Sequence, residues 1–381
     1  MFEVRIDRRR IIVFTTALLL AGCKVIPSGP KNPPPPPPAD TLPSDQQRHR
    51  IALLVPLTGP NAAAGQSIAN ATTMALLDTS AKTIRITTYD TAPGPAAAAS
   101  RAVADGNRLI LGPVQADDVA AIATVARAAR IPLISYSSDA QVAARDVFVM
   151  GTTPDNAIAR TVAFARSRGA LRFGLLAPNG DYGARASVAF NAAVKSSGGS
   201  VVASSTYDRS NTSILSAAQR LRSRGTFDAI LVADGARFAV LAAPRLKPAA
   251  ASSPRLLGTE LWSGESAIAK TPALRGAWFA AVSDTRFRQF SESYKARFGA
   301  APYRLATLGY DSVLLTVRIG RDWKPGTAFP AARLTDRDGF LGLDGPFRFG
   351  AGGLIERALE VREARANGLS IVSPAPERFA D

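Results

Sequence analysis

Two α/β lobes of similar size, each a doubly wound parallel sheet, are predicted by three features of this 381-residue chain. Short, nearly unbroken apolar runs alternate with helical segments; most of the helical segments close on glycine; and the whole order occurs twice. Strands buried on both faces read as continuous apolar runs, and steady strand–helix alternation favours parallel pairing through right-handed crossovers.

The first series starts abruptly at Arg50. "RIALLVPLTG" is a buried strand ending in Pro and Gly, and "GQSIANATTMALLD" is a helix with Ile68, Met74, Leu76 and Leu77 on its apolar side. "TIRITTYD" alternates as a strand, "AAAASRAVADG" is a helix stopped at Gly106, and "NRLILGP" is a strand again. "DDVAAIATVARAAR" is a helix whose Asp117 and Asp118 suit the positive end of its dipole, and "IPLISYSS" is a further strand. The second series, from about Thr152, alternates "PDNAIARTVAFARSRG", "YGARASVAFNAAVKSSGG", "NTSILSAAQRLRSRG" and "ARFAVLAAPRL" as helices with "RFGLLAPN", "SVVASSTYD", "FDAILVADG" and "PRLLGTELW" as strands. Beyond it, "DTRFRQFSESYKARFGAAPYRLATLGYDSVLLTVRIG" is two helices broken near Pro302, and "LDGPFRFGAGGLIERALEVREARANGLSIV" is an antiparallel hairpin turning on its glycines.

Ahead of these series stands a leader. Arg5, Arg8, Arg9 and Arg10 form a basic segment, and "IIVFTTALLLAG" is an apolar run too short to span a bilayer. It leads into the chain's only cysteine, Cys23, and then into a Pro-rich stretch with six consecutive prolines, Pro33 to Pro38. Such a run adopts extended polyproline II at about 3.1 Å per residue, which suits a spacer.

Composition removes several function classes. The formal charge of +16 would suggest nucleic acid, but the arginines are dispersed (Arg127, Arg130, Arg145, Arg160, Arg166, Arg168 and Arg172 among alanines) and an exported body would not meet it. One cysteine allows no intrachain disulfide, and the single histidine, His49, falls in the Pro-rich approach, so Ser-His, Cys-His and His-rich metal chemistry lack a positioned imidazole. No cofactor and no metal are expected. The carboxylate pairs Asp117/Asp118 and Asp336/Asp338 read as helix caps and dipole partners rather than acid–base pairs, so the chain is read as non-enzymatic.

"LAGC" at Leu20–Cys23 resembles the bacterial lipobox, which implies a signal peptide over 1–22 and a lipid on Cys23; Lys24 after it implies the outer membrane under enterobacterial sorting rules. "IALLVPLTGPNAAAGQSIANATTMAL", "RLILGPVQADDVAAIATVARAARIPLISYSS", "LRFGLLAPNGDYGARASVAFNAAVKSSGGSVV" and "ATLGYDSVLL" together resemble the type I periplasmic binding proteins, in their leucine-binding-protein-like group. The resemblance implies two lobes joined by three crossovers over 50–372. Lobe one is then about 50–153 and 283–322, lobe two about 154–282 and 323–372, with a linker at 23–49 and a tail at 373–381.

The same resemblance implies a site between the lobes. Tyr182 matches the family's aromatic at the mouth of lobe two, and Glu260 the acid that faces an ammonium. Gln115 stands where a small hydroxyl is usual, Asp139 replaces a threonine, and Gly235 replaces a second aromatic. The candidate ligand residues are Gln115, Ser135, Ser137, Asp139, Tyr182, Asp234 and Glu260. An unpaired Asp139 would repel an amino-acid carboxylate, which argues against a free amino acid as ligand.

A narrower set of segments, "YDTAPG", "ADGNRLILGP", "LLGTELW", "LRGAWFAA" and "LDGPFRF", resembles the penicillin-binding-protein activator lipoproteins of the LpoA type. That resemblance implies a regulator of peptidoglycan synthesis whose partner is a class A penicillin-binding protein. The alternative is a substrate-binding lipoprotein of an ABC transporter for amino acids or amides.

Overall fold

The computed structural model describes residues 47–247 and 253–379. The leader, Cys23 and the proline run lie outside the described residues. Lobe one is built on strands β1 (His49–Val55), β2 (Ile84–Asp90), β3 (Leu109–Leu111), β4 (Leu133–Ser135) and β5 (Val147–Val149), in the spatial order β2-β1-β3-β4-β5 and parallel throughout. Between them run helices α1 (Ala62–Asp78), α2 (Pro95–Ala104) and α3 (Ala116–Ala128). Strand β1 explains why the sheet is covered on both sides. Ile51, Leu53 and Val55 enter one apolar cluster while Ala52 and Leu54 enter the other, as the period-2 geometry of a strand requires.

Lobe two repeats the plan with β6 (Arg172–Pro178), β7 (Ser200–Tyr207), β8 (Ala229–Val232), β9 (Arg255–Leu257) and β10 (Trp278–Ala281) and helices α4 (Pro154–Ser167), α5 (Asp181–Ser196), α6 (Ser213–Ser223), α7 (Ala236–Leu246) and α8 (Ser266–Lys270). Five parallel strands in the order β7-β6-β8-β9-β10 are extended by two antiparallel ones, β14 (Glu360–Arg365) and β15 (Gly368–Ser373). Helices α9 (Thr285–Phe298) and α10 (Ala306–Gly320) return to lobe one, where α10 packs along α1.

Three points differ from the sequence reading. Residues after 322 do not pass directly to lobe two: β11 (Phe340–Gly342), β12 (Gly345–Phe349) and β13 (Ile355–Arg357) form an antiparallel sheet whose Phe340, Phe347, Phe349 and Ile355 share the lobe-one core with Ile51, Leu53, Trp323 and Phe329. The third crossover therefore falls near 357–360. The glycines at 350–353 do turn β12 into β13, but the strand that follows them, β14, pairs with β10 in the other lobe. Finally, Leu77 is 60% exposed rather than on the apolar side of α1, and the short strands β5 and β10 were not legible as strands.

The three crossovers are tied together by buried arginines. Arg357 Nη2 donates to the carbonyl of Met150 on the first (3.2 Å), and Arg362 Nη2 to that of Val282 on the second (2.8 Å). Arg362 also pairs with Glu360 and Asp284, each at 2.7 Å. Asn156 and Arg160 on α4 donate to the carbonyls of Ile355 and Leu359 on the third (2.8 and 3.0 Å).

His49 is a further correction: it is the first residue of β1, 3% exposed, and its ring stacks on Trp323 at 4.0 Å and 13°. It caps the N-terminal end of the sheet, opposite the strand ends where open α/β sheets bind ligands, so it adds no catalytic imidazole. Burial lowers its pKa below the usual 6.5. The folded protein thus holds the ring neutral while the unfolded chain protonates, so this group's contribution to stability is full above about pH 6.5 and declines as pH falls below it. His49→Phe keeps the stacking and removes the titration. The stability difference between variant and wild type, from urea midpoints, is expected to grow in favour of the variant between pH 7.5 and 5.5; a pH-independent difference overturns this.

Candidate functional site

The C-terminal ends of both parallel sheets face a cavity of about 770 Å³. Lobe one supplies Val114, Tyr136, Phe287, Leu305 and Leu308; lobe two supplies Glu260, Ser263 and Gly264; and the crossovers supply Ala280, Ala281, Val282 and Leu359 as its floor. The walls are mostly apolar with a few polar groups, the usual constitution of a small-molecule site.

Glu260 is the best-placed polar group. It opens a short turn, Glu260–Trp262, that follows β9 and is held by Thr259 and by Trp262, whose buried indole donates to the Asp234 carbonyl at 2.8 Å. Gly258 makes that turn possible, because a Cβ there would lie 2.2 Å from the Trp262 ring. Tyr182 enters from α5, whose first turn packs so closely on β6 that a Cβ at Gly183 would strike the Pro178 carbonyl. Its hydroxyl lies 3.0 Å from Thr259 Oγ1 and donates to Glu260 Oε1 at 2.9 Å. Glu260 Oε2 is buried without a hydrogen-bond partner among the described residues. Burial pushes the Glu260 carboxyl up to about 7, against the pull of the Tyr182 hydrogen bond, and burial and Glu260 push the Tyr182 hydroxyl up in turn. Tyr182 is thereby kept as a neutral donor.

The other candidate residues lie elsewhere. Asp234 is buried and fully spent: Arg209 grips it with two nitrogens at 2.9 Å each, Tyr207 donates at 2.5 Å, and its own Gly235 N–H donates at 2.8 Å. Arg209 also stands over the Tyr182 ring at 5.5 Å, so this network positions the aromatic rather than meeting the cavity. Ser135 and Ser137 are buried: Ser135 Oγ donates to the Pro113 carbonyl and accepts from Ser137 N–H, and Ser137 Oγ accepts from Asp139 N–H. Gln115 is exposed at the N-cap of α3 and does not line the cavity. Of the candidates, only Glu260 does, with Tyr182 held against it.

Asp139 is not unpaired. Its Oδ1 accepts from Gln141 N–H at 3.0 Å, and its Oδ2 meets Arg185 of α5 at 3.2 Å, a pair that reaches from lobe one to lobe two. The charge that was expected to repel a carboxylate is therefore neutralised by Arg185, which removes that objection to an amino-acid ligand. The wall residues Tyr136, Phe287, Arg288, Arg304 and Asp344 were not foreseen; "DTRFRQF" carries two of them, but nothing in a helical pattern shows which lobe its faces meet. Among the described residues no group of three or more His, Cys, Asp or Glu side chains is placed to hold a metal ion.

The periplasmic binding protein family model matches residues 49–368. Several solved structures share the fold. A protein of Rhodospirillum rubrum provisionally assigned as a branched-chain amino acid ABC transporter has a TM-score of 0.73 at 21% identity, over 85% of this chain and 100% of that one. The leucine binding protein LivK of Thermotoga maritima MSB8 has 0.60 at 20%, over 86% and 98%. A solute binding protein of an ABC transporter from Rhodopseudomonas palustris BisB5, in complex with 3,4-dihydroxy benzoic acid, has 0.61 at 20%, over 87% and 97%. Among curated proteins, an uncharacterized protein of Rickettsia prowazekii (strain Madrid E) is 30% identical over 122 residues, 32% of this chain and 33% of that protein; the chain thus spans about a third of the length of this relative.

The Asp139–Arg185 pair is part-buried on both sides, and a pair of this kind contributes about 1 kcal/mol, or roughly fivefold in the ratio of joined to separated lobes. Asp139→Asn is expected to raise the radius of gyration of the solute-free protein in small-angle X-ray scattering and to leave its secondary structure unchanged. An unaltered scattering curve would count against a latch.

Proposed function

The chain belongs to the periplasmic binding protein family, and on that premise we propose that it is a periplasmic receptor for a small organic solute, acting as the substrate-binding component of an ABC transporter. The observation that carries this reading is Glu260: a buried carboxyl lining a large, mostly apolar interlobe cavity, one oxygen held by Tyr182 and the other without a hydrogen-bond partner among the described residues. A buried polar atom without a partner is costly, and a solute donor, an ammonium or N–H group, would satisfy it. The relatives whose descriptions name branched-chain amino acids, leucine and a dihydroxybenzoic acid support solutes of amino-acid or aromatic-acid size. On this reading the protein binds rather than reacts, in keeping with its family, and the polar groups of the cavity suit recognition.

The anchor and compartment follow the sequence reading. Cys23 would carry the lipid, the proline run would hold the receptor off its membrane, and the body would stand in the periplasm. The alternative role as an activator of a class A penicillin-binding protein rests on the segments that resemble the activator lipoproteins. The cavity with its unsatisfied carboxylate favours the receptor, because an activator working only by surface contact has no need of one. Micromolar binding of a solute in isothermal titration supports the receptor; capture of a penicillin-binding protein from solubilised envelope, with no solute bound, would replace it by the activator.

Glu260 also makes binding pH-dependent. With its pKa at about 7, the group is increasingly protonated as pH falls, and a protonated carboxyl attracts an ammonium far less. Affinity for an amine-bearing solute is expected to fall from pH 8 to pH 6. In the solute-free protein the sign is opposite: the folded state holds a proton that the unfolded state, with the ordinary carboxyl pKa of 4.5, releases, so the group lowers stability as pH rises from 4.5 through 7. Glu260→Gln is therefore expected to weaken binding at least tenfold, to flatten its pH profile, and to stabilise the solute-free protein above pH 7 by of order 1 kcal/mol. Titration and thermal melts at pH 6 and 8 check all three.

A further inference from the structure

The arginines of lobe one are dispersed in sequence, but its sheet gathers them. In the spatial order β2-β1-β3-β4-β5 the strand heads carry Arg85, Arg50, Arg108, Arg130 and Arg145, one within three residues of the start of every strand. Backbone contacts fix them as neighbours. Arg50 is in register with Arg85, Arg108 N–H donates to the Arg50 carbonyl at 2.9 Å, and Leu133 N–H donates to the carbonyl of Asp146, next to Arg145, at 3.1 Å. With strands about 4.8 Å apart, the row is about 20 Å long. Four of the five side chains are exposed; Arg50 is half-buried and donates to the Asp105 carbonyl at 3.0 Å. The acids beside the row are engaged: Asp146 pairs with a further arginine, Arg127, at 2.6 Å, and Asp105 accepts from the Tyr89 hydroxyl at 2.7 Å. The other end of the lobe has the opposite sign, with Asp90 closing β2 and Asp117 and Asp118 opening α3. An arginine-rich composition does not by itself make such a row. In lobe two the same end is interrupted by Ser200 at the head of β7 and Asp228 at that of β8, and Arg255 of β9 lies over the Trp278 ring at 4.2 Å.

We propose that this row is a docking surface for an anionic phospholipid bilayer. Like charges on neighbouring strands destabilise a sheet, and an anionic surface offsets that cost while attracting each arginine near it. A bilayer fits better than a small anion because the cations lie along a line rather than around a point. The chain also enters lobe one here: Gln47, the first described residue, precedes His49 at the head of β1, and Cys23 stands 24 residues before Gln47. The proposal therefore rests on the membrane location read from Cys23 and not on the identity of the solute. A tether of that length could reach at most about 80 Å, which leaves every face of the lobe free to meet the membrane, so it is the row that selects one. Docked this way, the protein sets its basic end on the headgroups. The acidic, cleft-facing end then stands about 23 Å away along the seven residues of β1, beyond the Debye length of about 8 Å at physiological salt, and the cleft stays open to solute.

Co-sedimentation with sucrose-loaded vesicles tests this, using the chain from residue 23 with Cys23→Ser so that no lipid on the protein contributes. Vesicles of about 30% phosphatidylglycerol in phosphatidylcholine are expected to pellet the protein at about 50 mM NaCl and to release most of it at about 300 mM, while pure phosphatidylcholine pellets none. The triple variant Arg85→Gln/Arg108→Gln/Arg145→Gln is expected to bind at least thirtyfold more weakly, at roughly fivefold per arginine. Arg172→Gln/Arg220→Gln/Arg245→Gln, which removes the same charge from lobe two, is expected to stay within about threefold of wild type. All six side chains are exposed, so both variants should melt within about 3 °C of wild type. Should the first triple not fold, Arg108→Gln alone is expected to lose about fivefold. No pelleting by the anionic vesicles, no loss in the first triple, or equal losses in the two triples overturns the row. Retention on isolated peptidoglycan without retention on anionic vesicles overturns the bilayer and makes the partner a glycan. None of these outcomes touches the receptor reading, because no arginine of the row lines the cavity.

Discussion

The cleft depends on how three separate passages of the chain are bound to one another between the lobes. Two buried arginines do this. Arg362 holds Glu360 and Asp284 while donating to the carbonyl of Val282, and Arg357 donates to that of Met150. A buried guanidinium costs least where its hydrogen-bond donors find acceptors: Arg362 finds Glu360, Asp284 and the Val282 carbonyl, whereas Arg357 finds the Met150 carbonyl while its Nε and Nη1 have no hydrogen-bond partner among the described residues. At Arg362 one set of contacts therefore satisfies the charge, satisfies the backbone, and fixes the floor formed by Ala280, Ala281, Val282 and Leu359. It also takes Asp284 out of the cleft's electrostatics.

Three further acids of the interlobe region are balanced in the same way. Asp139 is neutralised across the lobes by Arg185, Asp234 within lobe two by Arg209, and Asp344 by Arg304. Each of these acids, read alone, would forbid an anionic ligand; each is paired by an arginine distant in sequence. The arginine-rich composition that suggested a binder of polyanions thus has an internal use. Pairing these three acids limits what their charges do to a solute, and Glu260 stays on the cavity wall without an ionic partner among the described residues.

Much of the architecture was legible because it is written in local patterns. The runs "IALLV" and "AILV" have no polar face, which only a sheet covered on both sides tolerates, and glycines mark where most helices end. The last hundred residues were less legible for a physical reason. Strands β11 and β13 are three residues each, too short for a period to show, and the lobe that β11–β13 join is decided by Phe340, Phe347 and Phe349 meeting a core laid down 300 residues earlier. At the site, Tyr182 and Glu260 were legible through family resemblance, and their hydrogen bond gives that pairing a physical basis. Asp139 was misjudged because its partner is 46 residues away, and no sequence pattern records an ion pair between lobes. His49 was taken for part of the linker because a strand's first residue carries little pattern, whereas its burial comes from Trp323.

The unfavourable features of the site lie on one path. Glu260 is desolvated, one of its oxygens has no partner, and its pKa is raised to about 7; Arg304 Nη2 is buried and unsatisfied. In a purely structural core, hydrophobic replacements would relieve all of these. They persist here beside an apolar cavity large enough for a solute, while the polar groups one shell away (Asp234, Thr259, Ser135, Ser137) are bonded to their neighbours. Unsatisfied buried groups also occur away from the cavity, at Arg357 and Asp311 among others, but those on the cavity wall are the ones that a ligand could reach and supply with partners. A donor group bound at Glu260 would recover desolvation that folding has already incurred.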